Sequence, residues 1–164
     1  MSRASRRTPA TPATRVLDRD GATWTGHVYA HDPAVSAFGM EAAEALRVDA
    51  ARVFKTLLAE VDGALVVAVA PVASRLDLGA LARAVGAKRA AMADPAVAER
   101  RTGYVVGGIS PLGQRNNHPT VVDVSASGFQ TVLVSGGRRG FEIELSPLDL
   151  ARLTAATVAP IASR

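Results

Sequence analysis

Two apolar strands and the tight turn between them occupy residues 53 to 70, where the sequence is VFKTLLAEVDGALVVAVA. Asp62 and Gly63 interrupt the apolar run, and an Asp-Gly pair supplies the positive φ angles that a two-residue hairpin turn requires. The stretch therefore predicts an antiparallel hairpin with strands over residues 53–61 and 64–70.

Helices and short strands are predicted on both sides of this hairpin from capping residues, glycines and apolar periodicity. The predicted helices cover residues 12–19, 36–46, 78–85, 95–102 and 147–156, and the further strands cover residues 24–30, 120–124, 131–134 and 141–145. Ser36 is the expected N-cap of the second helix. Because strands and helices do not alternate regularly, this order argues against a parallel doubly wound sheet. It predicts an α+β fold around a mixed, partly closed sheet.

Length and composition limit the kinds of protein that this chain can be. Its 164 residues are enough for one domain with a substantial core, and 48% of them are hydrophobic, as in globular proteins. The chain has no cysteine, which excludes disulfides, thiolate nucleophiles and thiolate metal ligands and fits a cytoplasmic location. No apolar run approaches the roughly 20 residues of a membrane helix, so we expect no membrane partner.

The excess positive charge of the chain is concentrated at its N-terminus. Four of the 19 basic side chains lie in residues 1–15, where no acid occurs, so the other 15 balance the 15 acidic side chains. Residues 1–14 are therefore predicted to be a disordered basic tail, and residues 15–164 a single domain. The isoelectric point alone does not indicate a nucleic-acid-binding surface, and pairs such as Arg138-Arg139 are expected to be solvated.

A glycine-rich loop, GGISPLGQ, occupies residues 107–114. Glycines let backbone N–H groups approach a ligand closely, because no side chain stands in the way. The loop lacks the lysine of a Walker phosphate loop, and Ser110 lacks the second glycine of a Gly-x-Ser-x-Gly nucleophile elbow. The pattern alone is compatible with a structural turn or with a set of backbone donors.

The histidines do not have the spacing of a metal site. His27 and His31 are four residues apart near a predicted strand end, and no third ligand or His-Glu-x-x-His pattern accompanies them. We therefore expect no metal ligands.

Three short motifs, in their order along the chain, closely resemble the YbaK family of bacterial aminoacyl-tRNA deacylases. They are VFKTLL at residues 53–58, GGISPLGQ at residues 107–114 and SGGRRG at residues 135–140. The family comprises the stand-alone relatives of the editing domain inserted in bacterial prolyl-tRNA synthetases, and the resemblance covers about residues 15–160. It implies a curved, barrel-like sheet with surrounding helices, and hydrolysis of aminoacyl-tRNA without a cofactor.

The resemblance also implies roles for individual residues. Lys55 would bind the tRNA 3′ end beside the scissile ester, and Gly107 and Gly108 would donate backbone N–H groups to the oxyanion. The implied substrate-binding residues are Tyr29, Phe38, Thr56, Pro111, Ser135, Gly136 and Glu142. Glu142 stands where the family usually has aspartate, so the charge is kept and the reach is one methylene longer.

The residue pattern by itself leaves other roles open. Lys55 also fits a solvated sheet edge, and Tyr29 and Phe38 also fit a hydrophobic core. The glycines also fit a turn that binds no ligand.

The function predicted from the resemblance is trans-editing, with Cys-tRNA(Pro) as the substrate. A cysteinyl thiol can attack its own ester carbonyl and release the tRNA, so such a site needs no protein base and would combine hydrolase with lyase chemistry. The predicted partners are the tRNA(Pro) acceptor end and prolyl-tRNA synthetase, with the chain a monomer or weak dimer.

The sequence leaves three other functions open. The first is a deacylase for Ala-tRNA(Pro) or another small aminoacyl group. The second is a non-catalytic tRNA- or synthetase-binding module with the same fold. The third, a small-molecule esterase, is disfavoured because no Ser-His-Asp grouping is recognisable.

Overall fold

The computed structural model describes residues 8–163, which contain five α-helices and ten short strands. The helices are α1 (Pro12–Asp20), α2 (Phe38–Leu46), α3 (Leu78–Ala84), α4 (Pro95–Thr102) and α5 (Pro147–Thr154). The strands are β1 (Trp24–Val28), β2 (Phe54–Val61), β3 (Ala64–Pro71), β4 (Arg75–Leu76), β5 (Ala90–Met92), β6 (Thr120–Asp123), β7 (Val132–Arg138), β8 (Phe141–Leu145), β9 (Thr157–Ala159) and β10 (Ala162–Ser163). None of these described helices is long and apolar enough to span a bilayer.

The strands form two main sheets and one short pair. Five strands form a mixed sheet in the order β5-β2-β3-β6-β9, in which β6 runs parallel to both of its neighbours. Three antiparallel strands form the second sheet, β1-β8-β7, and β4 pairs with β10. A bridge between Val53 and Leu133 joins the two main sheets, and within residues 8–163 no sheet closes into a barrel. The α+β prediction is confirmed, with sheets that are open.

The hairpin at the centre of the larger sheet forms as predicted. β2 and β3 pair along their whole length, and Asp62 and Gly63 between them have φ angles of 47° and 84°. Both faces of the hairpin are covered, because alternate side chains such as Leu58 and Ala59 enter two separate apolar clusters. Burial on both faces explains why this part of the sequence is an almost continuous apolar run.

The N-terminal boundary of the fold differs from the prediction. Residues 1–7 lie outside the described part of the chain, but Thr11 caps α1, and Ala13 and Thr14 are buried. The predicted tail of residues 1–14 is therefore wrong at its C-terminal end, because those residues pack against the core. That residues 15–164 form a single domain stays a prediction.

Two local predictions are also corrected. Helix α2 begins at Phe38 with Ala37 as its N-cap and no capping side chain, so Ser36 does not have the predicted role. The short strands β4, β5, β9 and β10 are missing from the prediction, because two or three residues carry no periodicity. These strands exist through pairing with segments distant in the sequence.

Candidate active site

A cavity of about 470 Å³ is lined by β2, β7, β8, the start of α2 and the loop that follows α4. Seven of the ten predicted site residues line it: Tyr29, Phe38, Lys55, Thr56, Gly107, Ser135 and Glu142. Apolar side chains, among them Met40, Leu57, Val72 and Met92, form much of the remaining wall. The fold thus brings residues from distant parts of the sequence to one concave site, as is typical of a ligand-binding pocket.

The Lys55 ammonium lies half-buried at the wall of this cavity. Its Nζ donates a 2.6 Å hydrogen bond to the Ser74 carbonyl, and no carboxylate of residues 8–163 forms an ion pair with it. Burial lowers the pKa of Lys55, since desolvation disfavours the charged form. One ammonium proton is used by Ser74, so the others remain available to an oxygen atom in the cavity.

Two hydroxyl groups of the lining have unused hydrogen-bonding capacity. Thr56 Oγ1 is buried and has no hydrogen-bond partner among the described residues. Ser135 Oγ accepts a 3.2 Å hydrogen bond from Gly137 N–H, which leaves its own proton free to donate. A buried hydroxyl without a partner, such as that of Thr56, costs about 1–3 kcal/mol.

Glu142 is a buried acid in the same lining. The residue is 7% exposed, and the part of the chain that the structure describes supplies neither a hydrogen bond nor an ion pair to its carboxyl group. Burial raises the pKa of Glu142 to about 8, so the carboxyl group is largely protonated at neutral pH. Burial, followed by the charges of Glu142 and Glu41, raises the pKa of Tyr29 to about 12.

The peptide groups on either side of Val106 are held by two charged side chains. Val106 N–H donates to Glu99 Oε2 at 2.8 Å, and Arg139 Nε–H donates to the Val106 carbonyl at 2.9 Å. The next amide, Gly107 N–H, has no acceptor among residues 8–163. Gly107 has a φ of 88°, and a Cβ there would lie 2.9 Å from the Phe38 ring, so the position requires glycine. Gly107 lines the cavity, so its N–H is a backbone donor of the loop that remains available there.

Three predicted site residues do not line the cavity. Gly108 N–H donates to the Val105 carbonyl at 2.8 Å, so it is not available to an oxyanion and the predicted donor role is wrong. Gly108 is required by packing instead, because a Cβ there would lie 2.7 Å from the backbone of β7. Gly136 is likewise packed against the Phe141 ring, and Pro111 is buried within the loop.

Arg139 is exposed, as the sequence predicts for this arginine pair, and it also contacts a residue of the cavity wall. Its guanidinium lies 4.9 Å from the centroid of the Phe38 ring, in a cation–π contact. The His31 ring centroid is 5.6 Å from the Phe38 centroid, and His31 Nδ1 lies 2.7 Å from Glu41 Oε1. The SGGRRG motif contains Arg139, but only the folded loop shows that this arginine contacts an aromatic ring of the site.

This chain is similar to several known proteins. Residues 32–153 match the family model described as the aminoacyl-tRNA editing domain. EbsC of Enterococcus faecalis, a candidate Cys-tRNA(Pro)/Cys-tRNA(Cys) deacylase, is 38% identical over 123 residues, which are 74% of this chain and 75% of EbsC. The uncharacterized protein YwhH of Bacillus subtilis is 32% identical over 115 residues, 70% of this chain and 73% of YwhH. The crystal structure of a candidate trans-editing enzyme for prolyl-tRNA synthetase is 26% identical with a TM-score of 0.81, covering 96% of this chain and 100% of that one.

Proposed function

Because this chain belongs to the aminoacyl-tRNA editing domain family and is an aminoacyl-tRNA deacylase, we propose that it removes cysteine from mischarged tRNA(Pro). The observation that supports the proposal most strongly is the convergence of seven predicted residues on one cavity. The similar proteins are candidate deacylases and editing enzymes, which supports the hydrolase class and not the lyase class.

In this proposal the ester carbonyl of the substrate lies beside the free amide of Gly107. The negative charge that develops on the carbonyl oxygen in the transition state is stabilised by that amide, and one such donor contributes about 10²–10³ in rate. Lys55 binds the neighbouring oxygen atoms of the terminal nucleotide, because its ammonium retains free protons and has no ion-pair partner among the described residues.

The remaining polar side chains of the cavity bind the aminoacyl group. Glu142 is buried and has no cation beside it. The α-ammonium group of the substrate would therefore stabilise its ionised carboxylate. Thr56 and Ser135 supply hydroxyl groups to the polar atoms of the same group. Tyr29 and Phe38 form the aromatic part of the wall.

The cysteinyl thiol of the substrate supplies the nucleophile. Its sulfur attacks the ester carbonyl carbon, the C–S bond forms, the C–O bond to the ribose breaks, and the thiol proton passes to the departing ribose oxygen. Water then opens the cyclic thioester to free cysteine, so the net reaction is hydrolysis of the ester. The protein positions the substrate and stabilises the oxyanion, and neither role requires a protein base.

The partners follow from this chemistry. The family acts on tRNA and is associated with prolyl-tRNA synthetase. We propose that this chain binds the acceptor end of tRNA(Pro) and that prolyl-tRNA synthetase supplies the tRNA identity. A cytoplasmic location and a monomeric or weakly dimeric state stay predictions.

Deacylation of three matched substrates tests the proposal. Cys-tRNA(Pro), Ser-tRNA(Pro) and Ala-tRNA(Pro) share the tRNA and differ only in whether the β-carbon carries sulfur, oxygen or hydrogen. We expect release of free cysteine to be at least about tenfold faster than release of serine or alanine, because a thiol is by far the strongest nucleophile of the three. The measurement is the single-turnover rate of loss of labelled amino acid from each tRNA.

Each other outcome contradicts a separate part of the proposal. Equal rates for cysteine and serine would exclude assistance by the thiol. Release of alanine alone would support the alternative of a deacylase for small aminoacyl groups. Salt-dependent binding of tRNA with no release from any substrate would support the non-catalytic module.

A further inference from the structure

We propose that Arg139 is a positioning residue that fixes and polarises the backbone donor of Gly107. The inference rests on the proposed function, in which Gly107 N–H stabilises the oxyanion, and it identifies the side chain that holds this amide in place. Arg139 is not among the residues that line the cavity, so it acts through the loop and not on the substrate.

The contact from Arg139 falls on the peptide group that contains the Gly107 amide. Arg139 Nε–H donates to the Val106 carbonyl at 2.9 Å, and this carbonyl and the Gly107 N–H belong to one planar trans peptide. In a trans peptide the C=O and N–H bonds point in opposite directions. Fixing the carbonyl toward Arg139 therefore fixes the Gly107 N–H in the direction away from it.

The same hydrogen bond makes the Gly107 amide a stronger donor. A cationic N–H bound to a carbonyl oxygen withdraws electron density from the peptide group, and hydrogen bonds in such a chain strengthen one another. Within residues 8–163 no carboxylate forms an ion pair with Arg139, so none competes with the Val106 carbonyl for its guanidinium.

Phe38 holds the guanidinium in the orientation that this contact requires. The guanidinium lies 4.9 Å from the centre of the Phe38 ring, which is itself part of the cavity wall. A Cβ at Gly107 would lie 2.8 Å from Arg139 Nε and 2.9 Å from the Phe38 ring. The missing side chain at Gly107 therefore allows the arginine, the ring and the loop to pack together.

The neighbouring arginine provides a matched control. Arg138 carries the same charge one residue earlier and is exposed like Arg139, but no hydrogen bond or ion pair of its guanidinium occurs among the described residues. Loss of either side chain removes one positive charge from the same surface. Only loss of Arg139 removes the contact to the Val106 carbonyl.

The experiment compares Arg139→Ala, Arg139→Lys and Arg138→Ala in single-turnover and steady-state deacylation of Cys-tRNA(Pro). The amide NMR signal of Gly107 is measured in the same variants. We expect Arg139→Ala to lower kcat by about 10–100-fold with KM changed less than about threefold, as for loss of an interaction made in the transition state. Arg139→Lys should restore part of kcat, and Arg138→Ala should leave it unchanged. The Gly107 amide proton should shift upfield in Arg139→Ala only.

Two results would overturn the inference. One is a salt-dependent rise in KM with kcat unchanged in Arg139→Ala, which would make Arg139 a phosphate-binding residue. The other is a Gly107 amide signal that does not respond to loss of Arg139. Failure of the proposed function is distinguishable from both, because it would appear as absence of deacylation by the wild type, whereas the NMR measurement does not depend on activity.

Discussion

At the scale of single residues, the carboxyl group of Glu142 has the most unusual environment in the cavity. It lies on β8 in the cavity lining, is buried, and has no hydrogen-bond or ion-pair partner among the described residues. Burial raises its pKa to about 8, so at neutral pH the site contains a carboxylic acid where the sequence suggests a carboxylate. The substrate α-ammonium would reverse this by stabilising the ionised form.

Glu142→Gln should change how stability depends on pH. Because the native pKa lies above the unfolded value of about 4.5, the native state retains a proton that the unfolded chain loses. The wild type should therefore lose stability, by about 2–4 kcal/mol, as the pH rises from 5 to 8, at about 1.4 kcal/mol per pKa unit. The glutamine variant should show no such loss in urea unfolding measured across this pH range.

Glu144→Gln is the control for this prediction, because Glu144 lies two residues after Glu142 on the same strand. Burial acts to raise the pKa of Glu144, but hydrogen bonds from Thr131, His27 and Arg52 lower it overall. The contribution of Glu144 to stability is therefore lost toward acid pH. The loss between pH 5 and 8 should persist in this variant. A wild type whose stability is constant over that range would show that Glu142 is ionised in the free protein.

Prediction of the site from sequence was most direct where a motif names the residue and the functional group is the residue's own side chain. Lys55 and Glu142 meet this condition, and both line the cavity. Gly108 does not, because whether its amide is free depends on a turn to Val105 that forms only in the folded loop. The contact of Arg139 with the loop could not be predicted for the same reason, since its partner is a backbone carbonyl distant in sequence.

At the scale of secondary-structure elements, α1 supports the strand that carries Ser135. Thr11 Oγ1 accepts a hydrogen bond from Thr14 N–H at 3.2 Å and donates one to the Gly136 carbonyl at 2.6 Å. One hydroxyl group thus caps the helix and ties it to β7 at the register shift that begins after Ser135. The start of α1 belongs to the architecture of the site and not to a tail.

Thr11→Ala should lower both stability and activity. Loss of the cap and of a buried hydrogen bond is expected to cost about 2 kcal/mol of unfolding free energy. Because the Gly136 carbonyl loses its partner, Ser135 should be less well positioned and kcat/KM for Cys-tRNA(Pro) should fall. Asp77→Ala is the control, since Asp77 caps α3 through Ala80 N–H and lies outside the cavity lining. An equal effect of both variants on kcat/KM would contradict the proposed link between α1 and the site.

The longer elements could be predicted because their signals are local. Asp62-Gly63 and the capping residues Asp77, Asp94 and Ser146 lie where the turn and the helix ends occur. The edges of the larger sheet could not be predicted, because β5 and β9 are three residues each and depend on pairing with β2 and β6. Ser36 is not the N-cap, because the helix begins one residue later than the pattern predicts, with Ala37 at the cap position.

At the scale of the whole molecule, the cavity exists because two sheets meet around it. β2 comes from the five-stranded sheet, β7 and β8 come from the three-stranded sheet, and the bridge between Val53 and Leu133 joins the two. Lys55 on the first sheet and Glu142 on the second therefore line one cavity despite their separation in sequence. No local pattern in the sequence predicts such a junction between sheets.

Lys55 allows the most direct measurement, because the chain has only two lysines and the other, Lys88, is exposed and outside the cavity lining. The measurement is the single-turnover rate of Cys-tRNA(Pro) deacylation by the wild type, Lys55→Ala and Lys88→Ala at one salt concentration. We expect a loss of at least about 100-fold for Lys55→Ala, since it removes a charge-assisted contact beside the reacting ester, and a change below about twofold for Lys88→Ala. Equal rates for the two folded variants would contradict the assignment of the reaction to this cavity.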